Sequence, residues 1–127
     1  MAIELNHTIV HSHRREESAH FLAGVFGLEV GDPWGPFLPV QVSGVTLDYA
    51  TVGADEQVTP QHYAFLVSET EFDEIWGRIK DAGITYYPEP FMQHENEINH
   101  NDGGRGLYFL DPSGHGMEII TVPYGGW

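Results

Sequence analysis

Apolar residues recur along the chain at two spacings, which follow one another in a fixed order. Residues 3–11 alternate between apolar and polar positions, and this alternation predicts a strand. Residues 12–26 carry an apolar stripe at helical spacing, and Gly27 is suited to end that helix. The pattern then predicts a loop and two strands, at residues 28–35, 36–42 and 45–51.

The same order of elements returns after a polar linker at residues 52–60. An apolar strand at residues 61–67 leads into Ser68-Glu69-Thr70-Glu71, a capping box that is typical of a helix start. Apolar residues at helical spacing predict the helix that follows, and Gly83 is suited to end it. We then expect a strand, a long loop, a strand–turn–strand unit and a tail, at residues 84–87, 88–104, 106–122 and 123–127.

The chain is therefore an internal repeat of a strand–helix–strand–strand–strand unit. His7 and His62 begin the two copies, while Asp48 and Glu118 occupy matching places in their last strands. This order predicts an α+β fold in which two modules, at about residues 1–52 and 60–123, build a single domain over residues 1–127. Pairing of the copies in one curved sheet would bring these four side chains to a shared centre.

Glu118 is the residue that suggests chemistry, because it is a lone carboxylate in a strand that is otherwise apolar. A buried carboxylate is costly unless it is paired, hydrogen-bonded or bound to a metal. Two imidazoles and a carboxylate form a set that holds a divalent ion with open coordination positions. We therefore predict a metal site made of His7, His62 and Glu118. The alternatives are two core histidines, and pairing of Glu118 with Arg105.

Composition narrows the class of protein. The chain has 127 residues, with 5 Lys and Arg against 19 Asp and Glu, giving a formal charge of −14. Such an acidic surface disfavours nucleic acid and anionic membranes as partners. The absence of cysteine excludes disulfides and thiolate ligands. With no signal peptide or membrane-length apolar run, we expect a cytoplasmic enzyme or binding protein.

The residues from Tyr108 to Glu118, Tyr-Phe-Leu-Asp-Pro-Ser-Gly-His-Gly-Met-Glu, resemble the most specific motif of the vicinal oxygen chelate superfamily. That superfamily includes glyoxalase I, extradiol dioxygenases, methylmalonyl-CoA epimerase, fosfomycin-resistance thiol transferases and bleomycin-binding proteins. The resemblance implies two βαβββ modules in a cup around one divalent metal, with His7, His62 and Glu118 as ligands. It also implies a homodimer, in which the two chains sometimes exchange modules.

Two features favour different branches of this superfamily. The order of His100, Tyr108 and Glu118 resembles the signature of extradiol dioxygenases, where the matching histidine and tyrosine hydrogen-bond substrate or oxygen intermediates. Those enzymes usually have a histidine that acts as an acid near the place of Asp48, and this chain has no histidine there. Glyoxalases and epimerases have a carboxylate or amide ligand there instead. By this second resemblance Asp48 would be a fourth ligand or a base that moves a proton next to a carbonyl.

Our leading hypothesis is an extradiol-dioxygenase-like enzyme that acts on a small oxygenated or aromatic molecule. It would use one divalent metal ion, Fe²⁺ or Mn²⁺ in preference to Ni²⁺, Zn²⁺ or Co²⁺, with His100 and Tyr108 assisting proton transfer. The first alternative is a lyase or isomerase that uses Asp48. The second is a non-catalytic protein that sequesters a drug or metabolite. A thiol transferase is disfavoured, because so few cations offer little to an anionic substrate.

Overall fold

The computed structural model describes residues 3–126 and divides the chain into two compact units. The first unit ends at Thr59 and the second begins at Pro60, within the polar linker. Each unit has its own helix and its own three-stranded sheet. No helix in the described part of the chain is long and apolar enough to cross a bilayer.

The first unit contains one sheet and one helix. Its sheet has the order β1-β3-β2, in which β1 runs parallel to β3 and β2 runs antiparallel to β3. The helix ends at Gly27, whose φ of 70° is in the left-handed region that glycine tolerates. The elements are β1 (His7–Ser12), α1 (Arg15–Phe26), β2 (Phe37–Val42) and β3 (Val45–Thr51).

The second unit repeats this topology. Its sheet has the order β4-β6-β5, again with one parallel and one antiparallel pair. The α+β class and the repeat predicted from the sequence are thereby confirmed. The elements are β4 (His62–Leu66), α2 (Glu69–Asp81), β5 (Gly106–Leu110) and β6 (Gly116–Ile120), with short 3-10 turns at Asn101–Gly103 and Tyr124–Gly126.

The predicted strand at residues 84–87 is wrong, because only Tyr87 pairs there. Tyr87 and Tyr108 exchange two backbone hydrogen bonds of 2.8 Å, and Pro88 follows at once with no N–H to extend the ladder. Val30 makes the matching single bridge to Val40 in the first unit, within the segment predicted as a loop. Each module is therefore βαββ with a bridging residue in place of one strand.

The start of the first helix also differs from the prediction. Ser12 belongs to β1, where its buried hydroxyl donates a hydrogen bond of 3.2 Å to the Ala50 carbonyl. The helix begins at Arg15, whose backbone N–H donates to the Thr51 hydroxyl at 2.9 Å. A side chain from β3 thus satisfies an N-terminal amide that no residue of the helix itself caps.

The sheet of the second unit has one buried face and one more open face. Leu107, Phe109, Met117 and Ile119 alternate along β5 and β6 and are fully buried. The intervening residues, which include Tyr108 and Glu118, point to the opposite face. This alternation places the polar candidates on one side of the sheet.

Candidate metal centre

His62, Tyr108 and Glu118 meet on the open face of the second sheet. Tyr108 is the direct register partner of Glu118, and His62 lies two residues from the β4 partner of Glu118, Ala64. Residues two apart on a strand share a face, so the three side chains converge from β4, β5 and β6. Three adjacent strands therefore fix the site without the help of a loop.

The contacts inside this group are short. His62 Nε2 lies 2.8 Å from Glu118 Oε1, and the His62 ring meets the Tyr108 ring edge-on with centroids 5.7 Å apart. The Tyr108 hydroxyl donates a hydrogen bond to the Glu118 carboxylate. Burial, followed by this bond to a carboxylate, raises the pKa of Tyr108 above its ordinary value. Tyr108 is therefore held as a neutral donor that orients Glu118.

His62 and Glu118 fit the requirements of two ligands of one metal ion. Metal–nitrogen and metal–oxygen bonds of about 2.0–2.2 Å that meet at a right angle place the two donor atoms roughly 2.9 Å apart. The observed separation of 2.8 Å is that of a hydrogen bond between the imidazole and the carboxylate, and it is also close to that spacing. The His62 side chain is 50% exposed and that of Glu118 is 14% exposed, so an ion could reach both.

The first unit carries the matching pair, His7 and Asp48. His7 is the register partner of Thr46, two residues from Asp48, just as His62 is the partner of Gly116, two residues from Glu118. The repeat alignment made from the sequence thus holds at the level of individual backbone pairs. Pro39 faces Asp48 at the place that Tyr108 takes opposite Glu118, so Asp48 has no hydroxyl donor at that position.

One ring nitrogen of His7, Nδ1, is in contact with a neighbouring side chain. Its Nδ1 lies 2.8 Å from the Asn6 side-chain oxygen, and donation by Nδ1 to that acceptor would leave Nε2 as the nitrogen that can bind an ion. Among residues 3–126 the structure assembles no group of three or more His, Asp or Glu side chains that could hold a metal. The structure brings His62 and Glu118 together and leaves His7 and Asp48 in the first unit.

His100 lies on the exposed loop before β5, and its neighbours line a cavity. The cavity, of about 460 Å³, lies in the second unit beside Tyr108 and Glu118. Asn99 and Asn101 line it on either side of His100 in sequence, although His100 is not among the lining residues. The loop of His100 therefore borders the cavity through Asn99 and Asn101, and the role of His100 itself stays a prediction.

Arg105 is the functional candidate that the sequence did not assign. It lines the same cavity, and it pairs with Glu69 and Asp73 of α2 instead of with Glu118. The alternative of a Glu118–Arg105 pair is therefore wrong. In the sequence, Arg105 stood out only as one of five Lys and Arg residues, close to the motif from Tyr108 to Glu118. That position did not reveal its partners on the helix.

Comparison with known proteins places this chain in a family. No protein-family model matches the chain. It is 32% identical over 126 residues to a glutathione transferase, FosA from Serratia marcescens, covering 94% of this chain and 81% of that protein. The chain belongs to the vicinal oxygen chelate superfamily. The membership predicted from the Tyr108–Glu118 motif is thereby confirmed.

Two solved structures add detail. The oxidase ChaP-H2 is 56% identical, with a TM-score of 0.94 over 99% of this chain and 98% of that one. A fosfomycin resistance protein, FosX from Mesorhizobium loti, is 19% identical, with a TM-score of 0.70 over 98% and 97% of the two chains. The second likeness shows the fold alone. The names of FosA, a glutathione transferase, and of the oxidase ChaP-H2 support an enzyme over a non-catalytic binding protein.

Proposed function

We propose that this protein is a divalent-metal-dependent enzyme of extradiol-dioxygenase type, acting on a small oxygenated or aromatic molecule. The observation that carries the proposal is the 2.8 Å contact between His62 and Glu118 on an open sheet face beside a cavity. The similarity to a protein named an oxidase supports the oxygen-dependent branch.

The residues of the chain would divide the work as follows. His7, His62 and Glu118 would hold the metal, which when bound supplies a Lewis acid with open positions for substrate oxygen. Tyr108 would hold the Glu118 carboxylate in its ligating orientation through the hydroxyl hydrogen bond. His100, on the loop whose neighbouring asparagines line the cavity, would move a proton to or from the substrate. A homodimer in which the chains exchange modules would supply His7 from a second copy.

Elemental analysis of protein purified without chelator tests the metal site. We expect about one Fe or Mn per chain, lost in His62→Ala and in Glu118→Gln and retained in His20→Ala. His20 is an exposed histidine of α1, so it controls for the loss of any imidazole. Wild-type protein that takes up no metal after reconstitution with each ion would refute the proposal and leave a binding protein.

Oxygen uptake with catechol-type substrates tests the reaction. The metal-loaded protein should consume O₂, and His100→Phe should cripple turnover while the metal stays bound. Unchanged turnover in that variant would remove His100 from the mechanism. These two readouts separate binding of the metal from the chemistry that depends on it.

A lyase or isomerase is the second candidate, and the register of Asp48 favours it. Asp48 has the same backbone relation to His7 that Glu118 has to His62, so a second carboxylate occupies a ligand-like place. This candidate predicts Ni, Zn or Co in the purified protein, turnover without O₂, and loss of activity in Asp48→Asn. Activity that requires O₂ and survives Asp48→Asn would eliminate it.

A further inference from the structure

The cavity of the second unit is lined by a cation, Arg105, that is already paired with two carboxylates. Arg105 Nε donates to Glu69 Oε1 at 2.8 Å, and Nη1 donates to Asp73 Oδ1 at 2.8 Å. Its Nη2 donates to the Glu69 carbonyl at 3.1 Å, while the guanidinium carbon lies 4.4 Å from the centre of the Phe72 ring. The side chain is only 20% exposed, so the guanidinium is held in one orientation.

The guanidinium of Arg105 is paired with two carboxylates, those of Glu69 and Asp73, so the three side chains together carry a net negative charge. The Thr121 hydroxyl and Arg105 both donate to Glu69 and hold the pKa of its carboxyl below the ordinary value. Asp73, and then Glu69, raise the pKa of Arg105. Glu69 and Arg105 therefore stay ionised at neutral pH. Glu69 and Asp73 reach the cavity only through Arg105, while Asp102 and Glu118 place two acidic side chains in its lining.

The described lining of the cavity has few cationic side chains to offset these charges. Among the residues described as lining it, Arg105 is the sole Lys or Arg, and the rest include Asn99, Asn101 and Tyr124. A guanidinium has five N–H groups, of which three are used here, so two remain as donors. Those donors suit a carbonyl or hydroxyl oxygen, while a second anion would meet the charge of Glu69 and Asp73.

We propose that this cavity receives an uncharged, oxygenated part of the substrate and rejects phosphonates and carboxylates, with Glu69 and Asp73 setting the preference through Arg105. The inference rests on the proposed function, in which the metal-bound end of the substrate lies at His62 and Glu118 on the same face. Arg105 and its two partners are then specificity-determining residues. Phosphonate binding does not follow from the fold shared with a fosfomycin resistance protein.

The test uses two ligands with the same metal-binding end. Catechol and 3,4-dihydroxybenzoate both offer vicinal hydroxyls, and only the second carries a carboxylate. We expect calorimetry on the metal-loaded wild type to show preference for catechol. The double variant Glu69→Gln/Asp73→Asn should shift the ratio of the two affinities toward the carboxylate by about tenfold or more, because it frees the charge of Arg105.

A matched variant controls for the change in net charge. Glu74→Gln/Asp81→Asn removes two exposed carboxylates from the same helix without touching Arg105, and it should keep the wild-type ratio. Adding Arg105→Met to the first double variant should abolish the shift. A shift of equal size in the control, or none in the first double variant, would overturn the proposal.

A measurement without metal tests the charge preference of the cavity separately from the proposed metal-dependent function. Methylphosphonate is titrated into apoprotein while the side-chain amide signals of Asn99 and Asn101 are followed by NMR. We expect saturable shifts in Glu69→Gln/Asp73→Asn and none in the wild type. Saturable binding to the wild type, or its absence from the variant, refutes the charge preference, whereas failure of metal uptake alone refutes the proposed function.

Discussion

Asp111 organises the turn between β5 and β6 from a buried position. Its Oδ1 accepts hydrogen bonds from the backbone N–H groups of Ser113 at 2.9 Å and His115 at 2.8 Å. Its Oδ2 is buried without a hydrogen-bond partner in the part of the chain that the structure describes. Burial raises the pKa of this carboxyl above its ordinary value, although the two N–H donors oppose the shift.

Asp111→Asn should therefore be neutral or stabilising at neutral pH, since the amide oxygen can accept both bonds without a buried charge. A raised pKa in the folded state means that the wild type loses stability as pH rises through that pKa. The advantage of Asp111→Asn should thus be smallest near pH 4 and grow toward pH 7, as urea unfolding at several pH values would show.

Asp111→Ala is the companion variant, because it removes the acceptor as well as the charge. Leaving two buried N–H groups without a partner should cost about 2–4 kcal/mol of unfolding free energy at pH 7. Equal stability of the Ala and Asn variants would mean that the two hydrogen bonds do not hold the turn.

In the proposed metal centre, Tyr108 would hold the carboxylate of Glu118 in place through its hydroxyl. Tyr108→Phe removes the hydroxyl that donates to Glu118 and should weaken metal affinity by about 10–100-fold, as losses of ligand-orienting partners do. Competition with a metal-binding dye would measure this change. Tyr63→Phe is the matched control, because Tyr63 contacts the His115 ring and not Glu118, and its metal affinity should be unchanged.

The sequence alone suggested the residues of the candidate site more readily than it suggested the contacts of Arg105. His62 and Glu118 could be recognised because a polar residue in an apolar strand stands out locally. The attachment of Arg105 to Glu69 and Asp73 could not be, because those residues are more than thirty positions away in sequence and meet only after folding. Exposed acidic residues at the start of a helix are also common for reasons unrelated to a partner.

The two helices start by different means. In α2 the Ser68 hydroxyl accepts from the Glu71 N–H at 3.1 Å, and the Glu71 carboxylate accepts from the Ser68 N–H at 2.8 Å. This reciprocal capping box was predictable from four consecutive residues and is confirmed. In α1 the N-terminal N–H of Arg15 is satisfied by Thr51 from a strand, which no local pattern reveals.

Ser68→Ala should destabilise the second unit by about 1 kcal/mol, since it removes one half of the capping box. The loss is measured as a change in the denaturant midpoint. Thr70→Ala, at an exposed position in the first turn, is the control and should be neutral or slightly stabilising because alanine is the better helix former. A comparable loss in both variants would assign the effect to the helix in general and not to its cap.

At the scale of the whole chain, duplication explains why so much could be predicted. The same helix–sheet pattern occurs twice, so each copy served as an independent check on the other. The matching registers of His7 with Thr46 and His62 with Gly116 show that the copies agree residue by residue. The single bridges of Val30 and Tyr87 could not be predicted, and the strand expected at residues 84–87 was wrong, because one paired residue leaves almost no periodic signal.

The charge of the whole chain should make its stability rise with salt. With a net charge of −14, the acidic side chains repel one another in the folded state. The ion pairs that oppose this repulsion lie mostly at the surface, such as Arg15–Glu16 and Arg78–Glu74. Raising NaCl from about 10 mM to about 150 mM shortens the screening length from roughly 30 Å to roughly 8 Å. Screening should therefore weaken the long-range repulsion more than the contact pairs.

We expect the midpoint of thermal unfolding, followed by circular dichroism, to increase over this range. A gain of about 1 kcal/mol corresponds to roughly 3–6 °C for a chain of this size. Choline chloride should act as NaCl does if screening is the cause, whereas an effect specific to Na⁺ would indicate binding of the ion. A midpoint that falls with salt would mean that contact pairs, among them Arg105 with Glu69 and Asp73, outweigh the repulsion.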